Sequence, residues 1–280
     1  MTLNDIYHAI DPVALSLGPL QIRWYGLAYV AGFICAFLVI AKLSQRWKIR
    51  IDDDAFFTVV FCVIFGVILG GRLGYVLVYG DGYYLQHPEK ILAFNEGGMS
   101  FHGGLVGVII GGVIAAKITK IPFLTLADMG VVGVPIGLFF GRCANFINGE
   151  LWGAPTDMPW GVVFGGAAGT MPRHPSQLYE ALLEGVVLFI ILFALSRKTP
   201  ARPRGTFFGT FLLFYGLFRF TIEFIRQPDA QIGYLLGTHW FTMGQALSIP
   251  LMVAGAVFLI YAWKTKKPQM GLPDSEISQS

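Results

Sequence analysis

The chain has 280 residues, of which 55% are apolar and 13% are charged, and its mean hydropathy is +0.62. Soluble domains carry about 25% charged residues, so this chain has too little polar surface to cover itself in water. Its net charge of +3 is too small to indicate a nucleic-acid-binding protein. The composition therefore predicts an integral membrane protein.

Long apolar stretches recur along the chain. A helix needs about 20 apolar residues to cross a hydrocarbon layer about 30 Å thick. By that measure we predict an all-α integral membrane protein, a bundle of about seven transmembrane helices that forms one polytopic domain over residues 1–280. The predicted spans lie near residues 20–41, 55–78, 102–118, 123–146, 177–195, 205–225 and 243–263.

Basic residues fall mainly in alternate loops between these spans. Of the 20 lysines and arginines, 13 follow the first, third, fifth and seventh spans. They are Lys42, Arg46, Lys48, Arg50, Lys117, Lys120, Arg197, Lys198, Arg202, Arg204, Lys264, Lys266 and Lys267. Because short cytoplasmic loops are rich in Lys and Arg, this pattern predicts an N-terminus outside the membrane and a C-terminus in the cytoplasm.

Three arginines, Arg72, Arg142 and Arg219, lie inside the second, fourth and sixth predicted spans. A charge at the bilayer centre costs about 2.5–3.5 kcal/mol on insertion scales, so each needs a partner, a water-filled cavity or a function. All three spans run from inside to outside, and each arginine stands in the last part of its span. With a rise of about 1.5 Å per residue, Arg72 lies roughly 25 Å above the inner end of its helix. We therefore expect the three arginines at similar depth, toward the outer leaflet.

Other polar side chains reach the same predicted level. Those near the outer ends of odd-numbered spans are Tyr25, His102 and Glu180. Tyr215 and Glu223 stand four residues before and after Arg219, on one helical face. Asn145 follows Arg142 by three residues and shares its face. The sequence thus predicts a basic, hydrogen-bonding pocket open to the outer half of the membrane.

The residue types indicate the ligand of such a pocket. Arginine clusters bind phosphate through forked, bidentate hydrogen bonds. Ser100 is the predicted cap of the third span, and Gly103 and Gly104 follow it. Glycines at a helix start would let an anion approach the backbone N–H groups. An outer-leaflet phosphate points to a phospholipid headgroup.

A long motif stands at residues 141–153, Gly-Arg-Cys-Ala-Asn-Phe-Ile-Asn-Gly-Glu-Leu-Trp-Gly. Shorter motifs stand at residues 24–27, 70–72, 97–105, 173–180, 215–219 and 223–229. In this order the motifs resemble those of the bacterial phosphatidylglycerol–prolipoprotein diacylglyceryl transferases over most of the chain. One difference is Ala144, where the family usually has glycine. Alanine adds one methyl group at a position that we expect to be close-packed.

The resemblance implies a multi-pass enzyme of the bacterial cytoplasmic (inner) membrane, with its active site facing the outer leaflet. Such enzymes transfer the diacylglyceryl group of phosphatidylglycerol to the thiol of the lipobox cysteine in preprolipoprotein signal peptides. The reaction forms a thioether and releases glycerol 1-phosphate, as the first step of bacterial lipoprotein maturation. The expected partners are those two substrates and membrane lipid, with no nucleic acid. No cofactor or metal is expected, because the lipid supplies both the transferred group and the leaving group.

The resemblance also implies roles for individual residues. A thiol has an ordinary pKa of about 8.5 and must be ionised, for which His102 is the candidate base, with Tyr25 as its helper or alternative. Arg142 and Arg219 are the candidates that hold the phosphate as charge develops on it. Asn145 completes the catalytic candidates. The remaining residues expected to bind phosphatidylglycerol are Arg72, Tyr215, Glu150, Gly153, Gly103, Gly104 and Glu223.

Other interpretations stay open from the residues alone. The arginines could serve only to hold helices together, by pairing with Glu180, Glu184 and Glu223. A lipid or anion transporter would place its site near the midplane between repeated halves, whereas here the polar cluster is biased outward and no repeat is found. A structural scaffold would explain neither the arginines nor the histidine.

Overall fold

The structure, a computed structural model, describes residues 2–18, 20–80, 82–94, 97–199, 201–228 and 233–272. Asp229, the last residue of the 223–229 motif, lies outside these ranges. Six helices among the described residues are long and apolar enough to cross a membrane. The sixth predicted span, 205–225, corresponds to a shorter apolar helix over Thr206–Ile222. The all-α membrane class is thereby confirmed.

The helices are numbered in chain order. They are α1 (Leu3–Ala9), α2 (Trp24–Trp47), α3 (Asp53–Tyr79), α4 (Tyr83–Gln86), α5 (Phe101–Thr119), α6 (Phe123–Asn148), α7 (Ser176–Glu180), α8 (Leu188–Ser196), α9 (Thr206–Ile222) and α10 (Met243–Thr265). A π-helical segment, Ala181–Val187, joins α7 to α8. The chain forms two compact units, one of residues 1–43 and 128–268, the other of residues 44–127 and 269–280.

The first predicted span begins too early. Residues Leu20–Arg23 form strand β2, which pairs antiparallel with β1 (Val13–Leu17), and α2 begins only at Trp24. The reason is visible in the sequence Leu-Gln-Ile-Arg, where apolar and polar residues alternate with the period of a strand. The hairpin thus precedes the first membrane-length helix.

In the second unit, α3 and α5 pack through glycines. Gly66, Gly70 and Gly74 follow one another at intervals of four on α3, and Gly103 and Gly107 do so on α5. A Cβ atom on Gly107 would lie 1.9 Å from the carbonyl oxygen of Gly66, and one on Gly74 would lie 2.6 Å from Gly103 Cα. Only glycines allow this approach, which is the usual way that membrane helices gain van der Waals contact.

In the first unit, the start of α9 is capped by a distant side chain. Gly205 precedes the helix with a φ of +88° and supplies no side-chain cap of its own. Asp128 of α6 accepts hydrogen bonds from the N–H groups of Gly205 and Phe208, both at 2.7 Å, and is fully buried. A carboxylate suits a helix N-terminus because it satisfies orphan N–H groups and favours the helix dipole. Asp128 therefore ties α9 to α6.

A small apolar core covers the C-terminal end of α6. Phe146 packs with residues of the loop that follows α6, Val162 and Phe164, and all three are buried. The ring of Tyr7, on α1, lies edge-on to Phe146 and Phe164, with centroid distances of 5.4 Å and 5.0 Å. This core fixes the 141–153 motif as it leaves the helix. Ala144 within the motif is 1% exposed, as expected for a close-packed position.

Candidate active site

Glu180, the last residue of α7, is fully buried and meets three arginines. Its Oε2 atom lies 2.7 Å from Nε of Arg142, on α6. Its Oε1 atom accepts hydrogen bonds from Nη1 of Arg219, on α9, at 2.5 Å and from Nη1 of Arg226 at 2.8 Å. One carboxylate thus joins α7, α6 and the C-terminal end of α9. The sequence placed Arg142 and Arg219 at one depth, and the structure brings them to the same carboxylate.

Two further glutamates surround the same arginines. Glu223 Oε1 lies 2.5 Å from Arg219 Nη2 and 3.5 Å from Arg226 Nε. Glu184 Oε2 lies 3.6 Å from Arg142 Nη2. We call these residues together with Glu180 the arginine–glutamate cluster: Arg142, Arg219, Arg226, Glu180, Glu184 and Glu223. The structure therefore contains the ion pairs between arginines and glutamates that the alternative interpretation, in which the arginines hold helices together, requires.

Exposure differs between the two kinds of residue in the cluster. The side chains of Glu180 and Glu184 are 0% exposed, and that of Glu223 is 4% exposed. The side chains of Arg142 and Arg219 remain 18% and 17% exposed. The three carboxylates are thus more deeply buried than the side chains of the two arginines that pair with them. Such an arrangement can hold an anion as well as join helices.

The cluster coincides with an irregular helix. The π-helical segment begins directly after Glu180 and contains Glu184. Helices of this type are rare and occur mostly where an inserted residue serves a function. Tyr215 stands one turn before Arg219 on α9. Its ring stacks on Phe211, with the centroids 5.6 Å apart. The place of Tyr215 in the site stays a prediction from its spacing to Arg219.

Asn145 and Glu150 meet where α6 ends. The amide groups of Asn145 and Asn148 both donate to Glu150 Oε1, at 3.0 Å and 3.2 Å. The carbonyl oxygen of Glu150 accepts a hydrogen bond of 2.6 Å from the side chain of Gln177, on α7. Glu150 therefore connects the end of the motif to the helix that carries Glu180.

Gly153 is held between two segments. Its N–H donates to the carbonyl oxygen of His174 at 2.9 Å, and its backbone bridges that of Arg226. A Cβ atom on Gly153 would lie 2.7 Å from the carbonyl oxygen of Ile225 and 2.8 Å from His174 Cβ. Any larger residue would push this segment away from Arg226. The contacts give Gly153 a role in packing behind the cluster.

Arg226 is not among the site residues predicted from the sequence, which includes it only within the 223–229 motif. It stands seven residues after Arg219, beyond the end of α9 at Ile222, and within the 223–229 motif. Its side chain is 11% exposed and pairs with Glu180 and Glu223. The heptad spacing from Arg219 was the signal that could have found it.

Arg72 lies in the second unit and is 1% exposed. Its guanidinium group donates to the carbonyl oxygens of Ile91 at 2.8 Å, Lys90 at 2.7 Å and Gly98 at 3.2 Å, and also to that of Gly97. These bonds hold the loop between α4 and α5 against α3. They favour a structural role for Arg72 and do not support its predicted contact with lipid phosphate.

Gly103 and Gly104 begin α5 as predicted, and the predicted Ser100 cap is confirmed. The hydroxyl of Ser100 accepts a hydrogen bond of 3.2 Å from the N–H of Gly103. The N–H of Gly104 donates to the Ser100 carbonyl oxygen at 2.9 Å. Both N–H groups are thus engaged within the helix start, and Gly103 faces α3. These contacts do not support the predicted approach of an anion to the two N–H groups.

The two candidates for the base are exposed at helix starts. His102 stands in the first turn of α5, in the second unit, and Tyr25 in the first turn of α2, in the first unit. Tyr25 is 36% exposed. Their catalytic assignment stays a prediction from the sequence.

Comparisons with known proteins agree on one family. Residues 12–261 match the family model described as prolipoprotein diacylglyceryl transferase. The chain is 52% identical over 257 residues to the phosphatidylglycerol–prolipoprotein diacylglyceryl transferase of Geobacter sulfurreducens, covering 92% of this chain and 97% of that protein. For the same enzyme of Cupriavidus metallidurans, the identity is 49% over 267 residues, covering 92% and 96%. For that of Rhodopseudomonas palustris, it is 46% over 279 residues, covering 96% of each.

Proposed function

The chain belongs to the prolipoprotein diacylglyceryl transferase family, and from this premise we propose the reaction that it catalyses. It transfers the diacylglyceryl group of phosphatidylglycerol to the thiol of a lipobox cysteine in a preprolipoprotein signal peptide. The second product is glycerol 1-phosphate. The substrates are those in the names of the relatives, and the lipobox is the expectation from the sequence motifs.

The observation that carries this proposal is the partial exposure of the Arg142 and Arg219 side chains, which pair with fully buried carboxylates. Glu180 contacts both guanidinium groups and limits their rotation, so that their remaining N–H edges are oriented before a ligand arrives. A phosphodiester has two non-bridging oxygens that match such forks. Groups that are oriented in advance need little reorganisation when charge develops on the phosphate.

The proposed reaction exchanges one bond of the glyceryl carbon for another. The sulfur attacks the glyceryl carbon that is bonded to phosphate oxygen, a carbon–sulfur bond forms, and the carbon–oxygen bond breaks. The electron pair of that bond stays on the phosphate, which Arg142 and Arg219 stabilise. The thiol proton passes to a base, for which the sequence predicts His102 or a tyrosine such as Tyr25.

The location of the site follows from the distribution of basic residues. We infer an N-terminus outside the cytoplasmic membrane, a C-terminus inside, and an active site at the outer leaflet of a bacterial inner membrane. A single polytopic domain remains part of this proposal. Reporter fusions test the orientation: a fusion after Lys267 should report a cytoplasmic position, and a periplasmic report would overturn it.

The reaction is tested by mixing purified protein in detergent with phosphatidylglycerol and a lipobox peptide and measuring the products. We expect a diacylglyceryl peptide and glycerol phosphate in equal amounts. Arg142→Lys and Arg219→Lys keep the charge but lose the planar fork, so each should lower turnover by about ten- to hundredfold. Arg197→Lys, on an exposed residue after α8, is the matched control and should stay active.

Thermal unfolding of the same samples distinguishes arginines that bind phosphate from arginines that only hold helices together. If the arginines only join helices, the Lys variants should lose stability first, and the folded fraction should keep its turnover. If the forks hold phosphate, turnover falls in protein that still unfolds cooperatively near the wild-type temperature. A stable and fully active Arg142→Lys protein would refute the phosphate role of that residue.

A further inference from the structure

The start of α10 touches the arginine–glutamate cluster through a threonine. Thr242 is the N-cap of α10: its hydroxyl accepts a hydrogen bond of 3.2 Å from the N–H of Gln245. The Gln245 side chain accepts one of 3.0 Å in return from the N–H of Thr242. The same hydroxyl donates to Glu223 Oε2 at 2.6 Å, and Thr242 is only 2% exposed. One buried hydroxyl thus completes a capping box and binds a carboxylate of the site.

The first turn of α10 also leaves room for that carboxylate. A Cβ atom on Gly244 would lie 2.4 Å from Glu223 Cδ and 2.6 Å and 2.7 Å from its two oxygens. Any side chain at this position would displace the carboxylate. The N-terminus of a helix also carries partial positive charge, which favours a negative group beside it. Residues 242–245 therefore form the binding site of the Glu223 carboxylate.

The two oxygens of Glu223 have separate partners. Oε2 accepts from Thr242, whereas Oε1 lies 2.5 Å from Arg219 Nη2 and 3.5 Å from Arg226 Nε. A carboxylate is planar, so fixing one oxygen on α10 also fixes the direction in which the other faces Arg219. The orientation of the Arg219 fork thus depends on α10, although Arg219 itself stands on α9.

We propose that Thr242 and Gly244 are positioning residues for diacylglyceryl transfer. They fix Glu223, and Glu223 with Glu180 holds the guanidinium group of the partly exposed Arg219 side chain toward the lipid phosphate. This inference rests on the proposed function, in which Arg219 binds that phosphate. Neither Thr242 nor Gly244 touches the substrate. Their effect arises because a long, flexible arginine side chain that is oriented in advance loses less freedom on binding.

Three substitutions divide the roles of these residues. Thr242→Val has nearly the same volume but loses both the hydrogen bond to Glu223 and the cap. Thr242→Ser keeps both. Gly244→Ala keeps the cap and the hydroxyl but pushes the Glu223 carboxylate aside, and the flexible end of that side chain can move without unfolding the helix. Asp52→Ala is the control for cap loss alone, because Asp52 caps α3 by accepting from the N–H of Ala55 at 2.7 Å.

Steady-state kinetics and melting are measured on each purified variant with phosphatidylglycerol and a lipobox peptide. We expect kcat/KM for phosphatidylglycerol to fall about tenfold or more in Thr242→Val and Gly244→Ala, because small misplacements of a binding group are costly. KM for the lipid should rise while KM for the peptide stays unchanged. Thr242→Ser should restore wild-type values, and Asp52→Ala should melt earlier with unchanged kcat/KM.

Two outcomes would overturn the inference. One is a folded Gly244→Ala or Thr242→Val protein with the wild-type kcat/KM for the lipid. The other is a kcat/KM for the lipid that falls in Thr242→Val and Gly244→Ala no further than it falls in Asp52→Ala at an equal loss of melting temperature. Gly244→Ala keeps the test decisive if Thr242→Val does not fold. Failure of the proposed function looks different, because the wild-type protein would then form no diacylglyceryl peptide. Failure of the phosphate role of Arg219 alone would leave Arg219→Lys fully active.

Discussion

Gly185, in the π-helical segment, lies directly against Phe139 of α6. A Cβ atom on Gly185 would stand 2.7 Å from Phe139 Cβ and 2.9 Å from its Cα. Arg142 follows Phe139 by three residues and so lies about one turn further along the same face. It is there that Arg142 reaches Glu180. The ion pair between Arg142 and Glu180 therefore depends on glycine at position 185, because any side chain there would push against Phe139.

Gly185→Ala should push α6 away from the π-helical segment. We expect a loss of stability of about 1–3 kcal/mol, as for other overpacked positions, and a loss of turnover because Arg142 moves from Glu180. Melting and transfer activity in detergent measure both effects. Gly130→Ala is the matched control on α6, because a Cβ atom there would meet nothing within 4 Å. Wild-type melting and turnover in Gly185→Ala would contradict this account.

Glu180 and Arg226 should be strongly coupled. Glu180→Gln leaves three arginines without their shared charge, and breaking a buried ion pair costs about 3–5 kcal/mol. Arg226→Gln alone leaves Glu180 with two arginines and should cost less. The double variant should lose less than the sum of the two, with a coupling of about 0.5–3 kcal/mol, seen as shifts of the melting temperature. Glu89→Gln, in an exposed pair with His87, should shift it very little. Additive losses would show that the pair is not coupled.

The core of the site could be predicted because charge in an apolar helix is a strong signal. Arg142 and Arg219 cannot stay unpaired in a membrane span, and helical spacing from Arg219 finds both Tyr215 and Glu223. The structure adds what depth alone cannot give, namely that both arginines meet on Glu180. That meeting depends on contacts between α6, α7 and α9, which no local pattern encodes.

Arg72 shows what depth in a span does not decide. Its predicted depth resembles that of Arg142, yet its guanidinium group donates to carbonyl oxygens of residues 90–98. Hydropathy does not distinguish an arginine that holds a loop from one that holds a ligand. The capping of α9 by Asp128 cannot be predicted from a local sequence pattern either, because 77 residues separate Asp128 from Gly205.

Gly103 and Gly104 should respond differently to the same substitution. In Gly103→Ala the new methyl group would stand 2.3 Å from the Gly70 carbonyl oxygen and 2.8 Å from Gly74 Cα, so α3 and α5 would have to separate. We expect early melting and poor recovery of folded protein. In Gly104→Ala the nearest atom is 3.7 Å away, so folding should be preserved, and turnover with it. A folded Gly104→Ala protein that loses lipid turnover would restore its sequence-based role.

His174 should make the protein less stable in mild acid. Burial lowers the pKa of His174 below its ordinary value of 6.5, and its Nδ1 atom lies 3.2 Å from the hydroxyl of Tyr179. The unfolded chain then binds more protons than the folded one just below that value, so stability falls as the pH drops through it. We expect a lower melting temperature at about pH 5.5 than at about pH 7.5. His174→Gln should reduce this difference, and an unchanged difference would exclude His174 as its source.

His102→Gln tests whether His102 takes the thiol proton. If it is the base, transfer in the variant should be slow near neutral pH and should recover in part at higher pH. The reason is that a thiol with an ordinary pKa of about 8.5 then ionises without help. Initial rates with a lipobox peptide across this range measure the recovery. His239→Gln serves as a control on a histidine outside the helices. A loss of equal size at every pH would instead assign His102 to positioning, and Tyr25→Phe would then be the next variant to test as the base.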